Sequence, residues 1–410
     1  MEKAKIKIKS KEFKEKHRTS EKHFTRSRKM GFSDIVIFLL NLVKKTVQIE
    51  LDKHMEIQEH RESISQQAFS KARQHISPEA FKEILEMSQK EAMESSEMKK
   101  HKGFRLFGVD ASLINLEFTK ELTKHFGIIQ NKGCKARASI LCELNDGIII
   151  DAQLEKFAVG ERQLALRHIK KFAEIKGEKD ILIFDRGYIS RELIFEMEQL
   201  GVFYVIRVPK KYNSEIDATN KSDFQINLEY QGESREIRVI KVKLENETEV
   251  LVTNLKLSDF KTSEFKEIYF KRWKIETKYD TLKNKLKIET LSGKTTISLY
   301  QDFYATIFIS NIVAATKMSS DEAIAENNAD KDLKYEYKTN ESLLISKLKD
   351  KFVLALLTDS SRKSNKIIDE IIKSAAKNRI PIKPNRTFPR LHESFRCRRR
   401  ALKMFPKNCF

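Results

Sequence analysis

The hydrophobic rhythm of the chain changes twice. From residue 33 to about 100 the apolar positions recur at helical spacing, and Phe32, Ile35, Phe38, Leu39 and Leu42 fall on one face. Two further helices are predicted at 64–75 and 78–87, the second with Ser77 as N-cap and Pro78 at its first position. They fit a helix-turn-helix and other small bundles equally well. From Phe104 the period shortens. Strands are predicted at 104–110, 136–143, 147–153, 180–185 and 202–208, the second and third joined by the hairpin signal Asp146-Gly147. An amphipathic helix is predicted at 161–175, and another runs from a Ser190 cap to a stop at Gly201. Residues 209–260 break the alternation with polar, β-rich runs at 236–243 and 249–253. A long helix then starts near Ser263. An apolar helix follows to Met318, then an acidic loop of about 20 residues, then helices at 341–357 and 366–376. The first 30 residues, charged and sparsely apolar, are expected to form a loose arm.

A meander followed by alternating strands and helices implies an α/β fold: a mixed sheet with helices on both faces. The expected layout is an all-α N-terminal region (1–100), a central domain (101–318) with a β-rich insertion at about 209–260, and a helical C-terminal region (319–410).

Composition adds a partner. The formal charge is +20 on 410 residues. Residues 1–30 hold 12 Lys/Arg against 4 Glu, and residues 381–410 hold 9 against 1, so the two ends supply most of the excess. Basic ends on a near-neutral body point to a polyanion, most often nucleic acid. Neither end carries an apolar face for a membrane, and the apolar runs at 35–43 and 307–315 are too short to span one. Four cysteines without a CxxC pair argue against a zinc site and for a reducing compartment. The basic N-terminus has no apolar stretch of the signal-peptide kind, so a cytoplasmic protein is expected.

The candidate chemistry lies on the long helix, YFKRWKIETKYDTLK from Tyr269 to Lys283. On a regular helix Tyr269, Arg272, Glu276 and Lys283 fall within an arc of about 60°. Phe265, Ile268, Ile275, Leu282 and Leu286 occupy the neighbouring arc, for a core. A lone carboxylate between cations beside a core suits a metal or phosphate site, although Arg272 and Glu276 also fit a solvated i,i+4 pair. Two more carboxylates share this setting: Asp110 at the end of the first strand and Asp185 at the end of the fourth. Either could be an ordinary turn former. With the first and fourth strands as neighbours, both leave from one sheet edge, and the helix carrying Glu276 can complete a trio. Such a trio persists only if cations neutralise it, and hard oxygen ligands suit Mg²⁺ or Mn²⁺.

Tyr269-x2-Arg272-x3-Glu276-x6-Lys283, Asp110 in VDAS and Asp185 in FDRGY together resemble bacterial insertion-sequence transposases of the DDE class, in the insertion-sequence-four family with its Tyr-Arg-Glu-Lys signature. The resemblance is strong over about 104–294 and extends plausibly to the N-terminal helices. It implies an RNase H-like catalytic domain and cut-and-paste DNA transposition. Asp110, Asp185 and Glu276 are the implied catalytic carboxylates, binding two Mg²⁺, with Mn²⁺ a substitute. Tyr269, Arg272 and Lys283 are the implied contacts to the DNA end, with Trp273 beside them. Implied partners are double-stranded DNA, as terminal inverted repeats and target, and a second copy of the chain on paired ends. The helices at 341–376 are candidates for that dimer contact, and location at the bacterial nucleoid follows. Some relatives carry a Trp in the β-rich insertion that stacks on a flipped base. Here the only Trp is Trp273, on the signature helix, leaving Tyr212, Phe224 and Tyr230 as substitutes. Alternatives are a metal-dependent nuclease that cuts without joining, and a decayed, non-catalytic DNA-binding protein.

Overall fold

The structure, a computed structural model, describes residues 2–41, 44–58, 63–95, 97–130, 133–245 and 247–383. Leu42 and the basic tail from residue 384 on lie outside the described residues.

The N-terminal region is helical from its start: α1 (Glu2–Lys9), α2 (Lys11–His17), α3 (Phe32–Leu40), α4 (Val47–Ile57), α5 (Gln66–Arg73) and α6 (Glu79–Glu94). The expected loose arm is therefore corrected. Ala4, Ile8 and Phe13 are few, but their spacing puts them on one side, and all three are buried. Ser10 caps α2 by accepting from the Phe13 N–H. The lysines that made the segment look solvated find distant acids: Lys3–Glu91, Lys7–Glu83, Lys16–Glu83 and Lys9–Asp359. Tertiary packing, which the local pattern cannot display, makes these helices.

Glu83 is the hub of that docking. Burial alone would raise its pKa, but hydrogen bonds from Lys16, His17 and Lys7 outweigh burial and hold it down to about 2. A depressed carboxylate contributes stability above its unfolded pKa of about 4.5 and loses it as the pH falls toward the folded value. We expect Glu83→Gln to be less stable than wild type at pH 6 and the gap to close between about pH 4.5 and 2. Urea midpoints across that range check this; a constant gap would show that charge is not the cause.

The body of the protein is a mixed sheet of nine strands. In chain order come β1 (Arg105–Asn115), α7 (Lys120–Phe126), β2 (Ile128–Ile129), β3 (Gly133–Glu143), β4 (Ile149–Lys156), α8 (Glu161–Ile175), β5 (Asp180–Phe184), α9 (Arg191–Gln199), β6 (Phe203–Val208), α10 (Ser214–Ala218), β7 (Asp223–Tyr230), β8 (Glu233–Lys243) and β9 (Thr248–Thr253). The spatial order is β2-β3-β1-β5-β6-β9-β8-β7, with β4 also paired to β3. β1, β5 and β6 run parallel, and β3 and β9 flank them antiparallel. The β-rich stretch after β6 thus continues the same sheet. Its first strand, β7, alternates Phe224, Ile226, Leu228 and Tyr230 with polar residues, a period-two signal on which the sequence reading placed no strand.

After a 3₁₀ turn at Thr262–Glu264 come α11 (Phe265–Phe270), α12 (Trp273–Asp280) and a π-helical turn at Thr281–Lys285. Then follow α13 (Thr296–Asn328), β10 (Tyr337–Thr339), α14 (Glu341–Leu357), α15 (Ser361–Lys377) and β11 (Arg379–Pro381). The predicted acidic loop after Met318 is corrected: α13 continues ten residues further. Ser320 and Ile324, four apart, turn inward and are buried, Ser320 meeting the Thr339 hydroxyl at 2.8 Å. The acidic residues occupy the outer side.

Each sheet face has its own core. On one, Leu106, Ile181 and Ile183 meet Ile275, Phe303 and Phe308 together with the N-terminal helices. On the other, Phe107, Val109, Leu182 and Phe184 meet α8 and α9 through Phe172 and Leu193.

Candidate active site

β1 and β5 pair in parallel from Arg105↔Asp180 to Gly108↔Ile183. Two more residues along that register, Asp110 stands level with Asp185. Side chains alternate between faces. Leu106, Ile181 and Ile183 lie on the side of Ile275, so Asp110 and Asp185, in step with them, face the helix that carries Glu276. Gly108 lets that helix approach: a Cβ there would stand 3.6 Å from Ile275 Cδ1 and 3.0 Å from Leu144 Cδ2. Asp110 does not end its strand as expected. β1 runs on to Asn115 because β3 pairs with it over Phe107–Asn115, and only the partner on the other side has run out. Asp110 therefore projects from a continuous strand beside a gap, whereas Asp185 opens the turn closed by the Tyr188 N–H on its carbonyl at 3.0 Å.

The signature segment is not one regular helix. Arg272, Lys274 and Ile275 donate their N–H groups three residues back, tightening the joint between α11 and α12. The π turn then loosens the far end, where the Leu286 N–H reaches Thr281 O. All five predicted core residues, Phe265, Ile268, Ile275, Leu282 and Leu286, are buried. The four polar positions part company. The Tyr269 hydroxyl donates to Asp185 Oδ1 at 3.1 Å. Arg272 Nη2 donates to Glu276 Oε1 at 3.0 Å, and its guanidinium lies 4.8 Å from the Trp273 ring centroid. Lys283 Nζ, beyond the tightened joint and within the π turn, bonds Ser112 Oγ at 2.7 Å and Leu113 O at 2.8 Å on β1.

Arg272 is the electrostatic centre. It is 5 % exposed, while Glu276 beside it is exposed. Burial disfavours its charge, but Tyr269, Asp185 and Glu276 more than compensate and its pKa goes up. Burial pushes the Asp110 carboxyl up to about 6, with Glu161 and Glu276 adding to the rise and the Ala111 N–H and Arg272 opposing it. Burial, then Asp185, holds the Tyr269 phenol protonated, so it remains a donor.

Among the described residues no three His, Cys, Asp or Glu side chains stand close enough to hold a metal ion. Arg272 supplies the positive charge among the carboxylates. The donor set is all oxygen, which suits a hard divalent cation. Each carboxylate also keeps one oxygen that accepts no hydrogen bond among the described residues. Two buried polar atoms here, Tyr188 Oη and Arg272 Nε, have no partner among the described residues, as in a site completed by something it binds. In chemical type the residues suit a divalent cation.

Sequence reading missed three neighbours. Tyr279, three residues after Glu276, places its hydroxyl 2.9 Å from both Asp110 O and Ala138 O, across β1 and β3. Its spacing from Glu276 was a usable signal. Tyr188, in the quoted FDRGY, was not singled out. Beneath Asp110, His168 joins Asp151 at 2.6 Å and Ser139 at 3.0 Å. Ser139 and His168 are fully buried, so this chain of side chains braces β3, β4 and α8 and cannot meet a substrate. Tyr279→Phe should cost about 1 kcal/mol by removing the hydroxyl that adds a second hydrogen bond to two carbonyls of the β1–β3 ladder at Asp110. Denaturant midpoints check this; an unchanged midpoint would mean the hydroxyl contributes nothing.

The aromatics offered as substitutes for an insertion Trp all pack against the core on the opposite sheet face from Glu276. Tyr230 packs on Phe195 with tilted rings whose centroids are 5.4 Å apart, and Phe224 carries Lys241 at 5.7 Å from its ring. On the carboxylate side, Phe270 of α11 is 70 % exposed.

A model of the transposase DDE domain matches residues 101–312, a little over half of the 410 residues. A putative transposase for insertion sequence element IS4SA from Synechocystis sp. is 24 % identical over 253 residues, covering 60 % of this chain and 70 % of that one. The solved piggyBac transposase synaptic complex with hairpin DNA is a more remote likeness, at 12 % identity and a TM-score of 0.45, covering 97 % of this chain and 86 % of that one. The matched span begins just before β1 and contains Asp110, Asp185 and the whole signature helix, and on this ground the chain belongs to the DDE transposases, of the insertion-sequence-four type.

Proposed function

We propose that this DDE transposase moves its element by cut-and-paste, with Asp110, Asp185 and Glu276 as the catalytic carboxylates. The observation that carries this reading is the register of β1 and β5, which turns two distant Asp residues toward the helix bearing Glu276. The strand order β4-β3-β1-β5-β6, with β3 alone antiparallel to the other four, supports an RNase H-like core. The residue division 1–100, 101–318 and 319–410 accompanies this reading, with α1–α6 as the DNA-binding region.

The three carboxylates would hold Mg²⁺, or Mn²⁺ in its place, which supplies activation of the attacking oxygen and charge for the leaving one. Arg272, buried yet next to the exposed Glu276, offers a forked donor to a phosphate. Tyr269 fixes Asp185 by its hydroxyl and leaves Arg272 aligned over its own ring and that of Trp273. Lys283 steadies β1 two residues beyond Asp110 and presents its charge to the DNA end. Phe270 of α11, exposed on the same side of the sheet, is an aromatic on which an unstacked base could rest. The basic termini add non-specific phosphate contacts, which weaken as salt rises. Two copies would act on paired inverted repeats in the bacterial cytoplasm; no helix among the described residues is long and apolar enough to cross a membrane.

The test is cleavage of a plasmid carrying the DNA that flanks this gene, with Mg²⁺ or with EDTA. Mg²⁺-dependent breaks at an inverted repeat, followed by joining of the 3′-ends to target DNA, are expected. Breaks without joining indicate a nuclease. Binding without breaks overturns the catalytic reading.

A further inference from the structure

On the side of α12 away from Glu276, the helix carries a second set of charged residues. Lys274, Lys278 and Lys285 follow one another at near-helical spacing and line a pocket of about 460 Å³. Lys317 from α13 and Lys338 from β10 close its other walls. The acids in this pocket are already engaged. Glu143 accepts the N–H groups of Asn145 and Asp146 at 2.8 and 2.6 Å, and burial pushes its carboxyl up to about 7. Asp146 accepts the Lys99 N–H at 2.8 Å, and Glu341 pairs with Lys285. Lys317 is held by Asp321 at 2.6 Å.

The remaining cations lack counter-ions. Among the described residues, Lys274, Lys278 and Lys338 form no ion pair. Lys278 is 9 % exposed, and its only hydrogen bond is a long one, 3.4 Å to Ser310 O. Its amine faces Gly147, where a Cβ would stand 3.9 Å away. A buried ammonium with one long acceptor and no carboxylate in contact among the described residues is costly unless something negative joins it.

We propose that this pocket binds a phosphate group, seated on Lys278 Nζ and clasped by Lys274 and Lys338. Phosphate supplies several acceptors to amines that act as point charges with three donors each. The pocket is concave and its central amine recessed, so a terminal or free phosphate reaches it and the side of a duplex does not. The source is a free phosphate compound or the 5′-phosphate of a DNA end. The proposal does not depend on the three carboxylates or on metal, because the pocket lies across α12 from them.

The experiment titrates inorganic pyrophosphate into the full chain by calorimetry, in EDTA and without divalent cations. One site per chain is expected. Lys278→Met should weaken binding at least about tenfold, the scale for losing one charge-assisted contact. Lys274→Gln, at an exposed position, should weaken it severalfold while leaving folding intact. Unchanged affinity in a folded Lys278→Met and in Lys274→Gln overturns the proposal, as does no binding to wild type at 10 mM probe, a concentration at which a site of about millimolar affinity is nearly saturated. If Lys278→Met fails to fold, Lys274→Gln and Lys338→Gln decide. A parallel arm compares duplexes with and without a 5′-phosphate: a preference lost in Lys274→Gln assigns the phosphate to DNA, and no preference beside pyrophosphate binding assigns it to a free compound.

Discussion

Glu276→Gln is expected to abolish DNA strand cleavage while leaving DNA-end binding intact. The substitution keeps the side-chain shape and an acceptor oxygen for Arg272, which now donates to Glu276 at 3.0 Å. Glu276 is exposed and its backbone sits inside α12, so folding should change little. What is lost is the negative charge. Asp110 and Asp185 alone then carry two negative charges against Arg272 and a divalent cation, so the site is left one positive charge in excess and holds the cation more weakly. Removing one preorganised charge from a reacting site costs about 10²–10³-fold in rate, and losing a metal ligand costs more. Nicking of the supercoiled end substrate in Mg²⁺, beside a mobility shift of the same DNA, reads both halves. A fully active mutant would sink the metal-site assignment; loss of cleavage together with binding would mean that Glu276 positions DNA instead.

Arg73→Met should produce the largest stability loss. Arg73 is fully buried at the C-terminal end of α5 and points into the start of α13. It donates to Gln301 Oε1 at 2.9 Å, Ser292 Oγ at 2.7 Å, Ser298 O at 3.2 Å and Asp302 Oδ1 at 2.9 Å. Gln301 returns hydrogen bonds to Arg73 O and Ile76 O. This network ties the N-terminal helices to α13, which underlies the sheet. Met fills much of the volume but leaves Asp302, 8 % exposed, without its cation. Breaking one partner of a buried pair typically costs ~3–5 kcal/mol. Denaturant unfolding should show that loss, and Arg73→Met combined with Asp302→Leu should recover a large part of it. If the double variant is no better than the single one, packing, not charge, holds the joint.

Some of this was legible along the chain because it is local. The helix at 161–175 and that at 341–357 coincide with α8 and α14, since an apolar stripe at period 3.6 with a cap is complete within its own segment. Strand β5 and the hairpin after β3 were equally clear from a short apolar run and from Asp146-Gly147. The α1–α2 helices and the last ten residues of α13 were not, because their apolar residues are too sparse to show a period, and β7, though it alternates, lay in a stretch read only as polar and β-rich. The helices α1 and α2 are held by surfaces far along the chain, such as Glu91 for Lys3 and Asp359 for Lys9.

The candidate site divides the same way. The sequence by itself marked the residues proposed to carry the chemistry: Asp110, Asp185 and Glu276 stand out by type, by context and by the spacing of Tyr269, Arg272 and Lys283. It also determined which face of the signature segment is buried, because burial follows hydrophobic periodicity. Only the tertiary structure decided how those residues meet. The β1–β5 register brings Asp110 level with Asp185, because strand pairing fixes height and face together. The tight joint at Arg272 and the π turn at Thr281–Lys285 divide the predicted single stripe. Lys283 goes to β1, and Lys274, Lys278 and Lys285 go to a pocket of their own. Helical winding departs from its ideal where packing on both sides demands it, and no one-dimensional period records that demand.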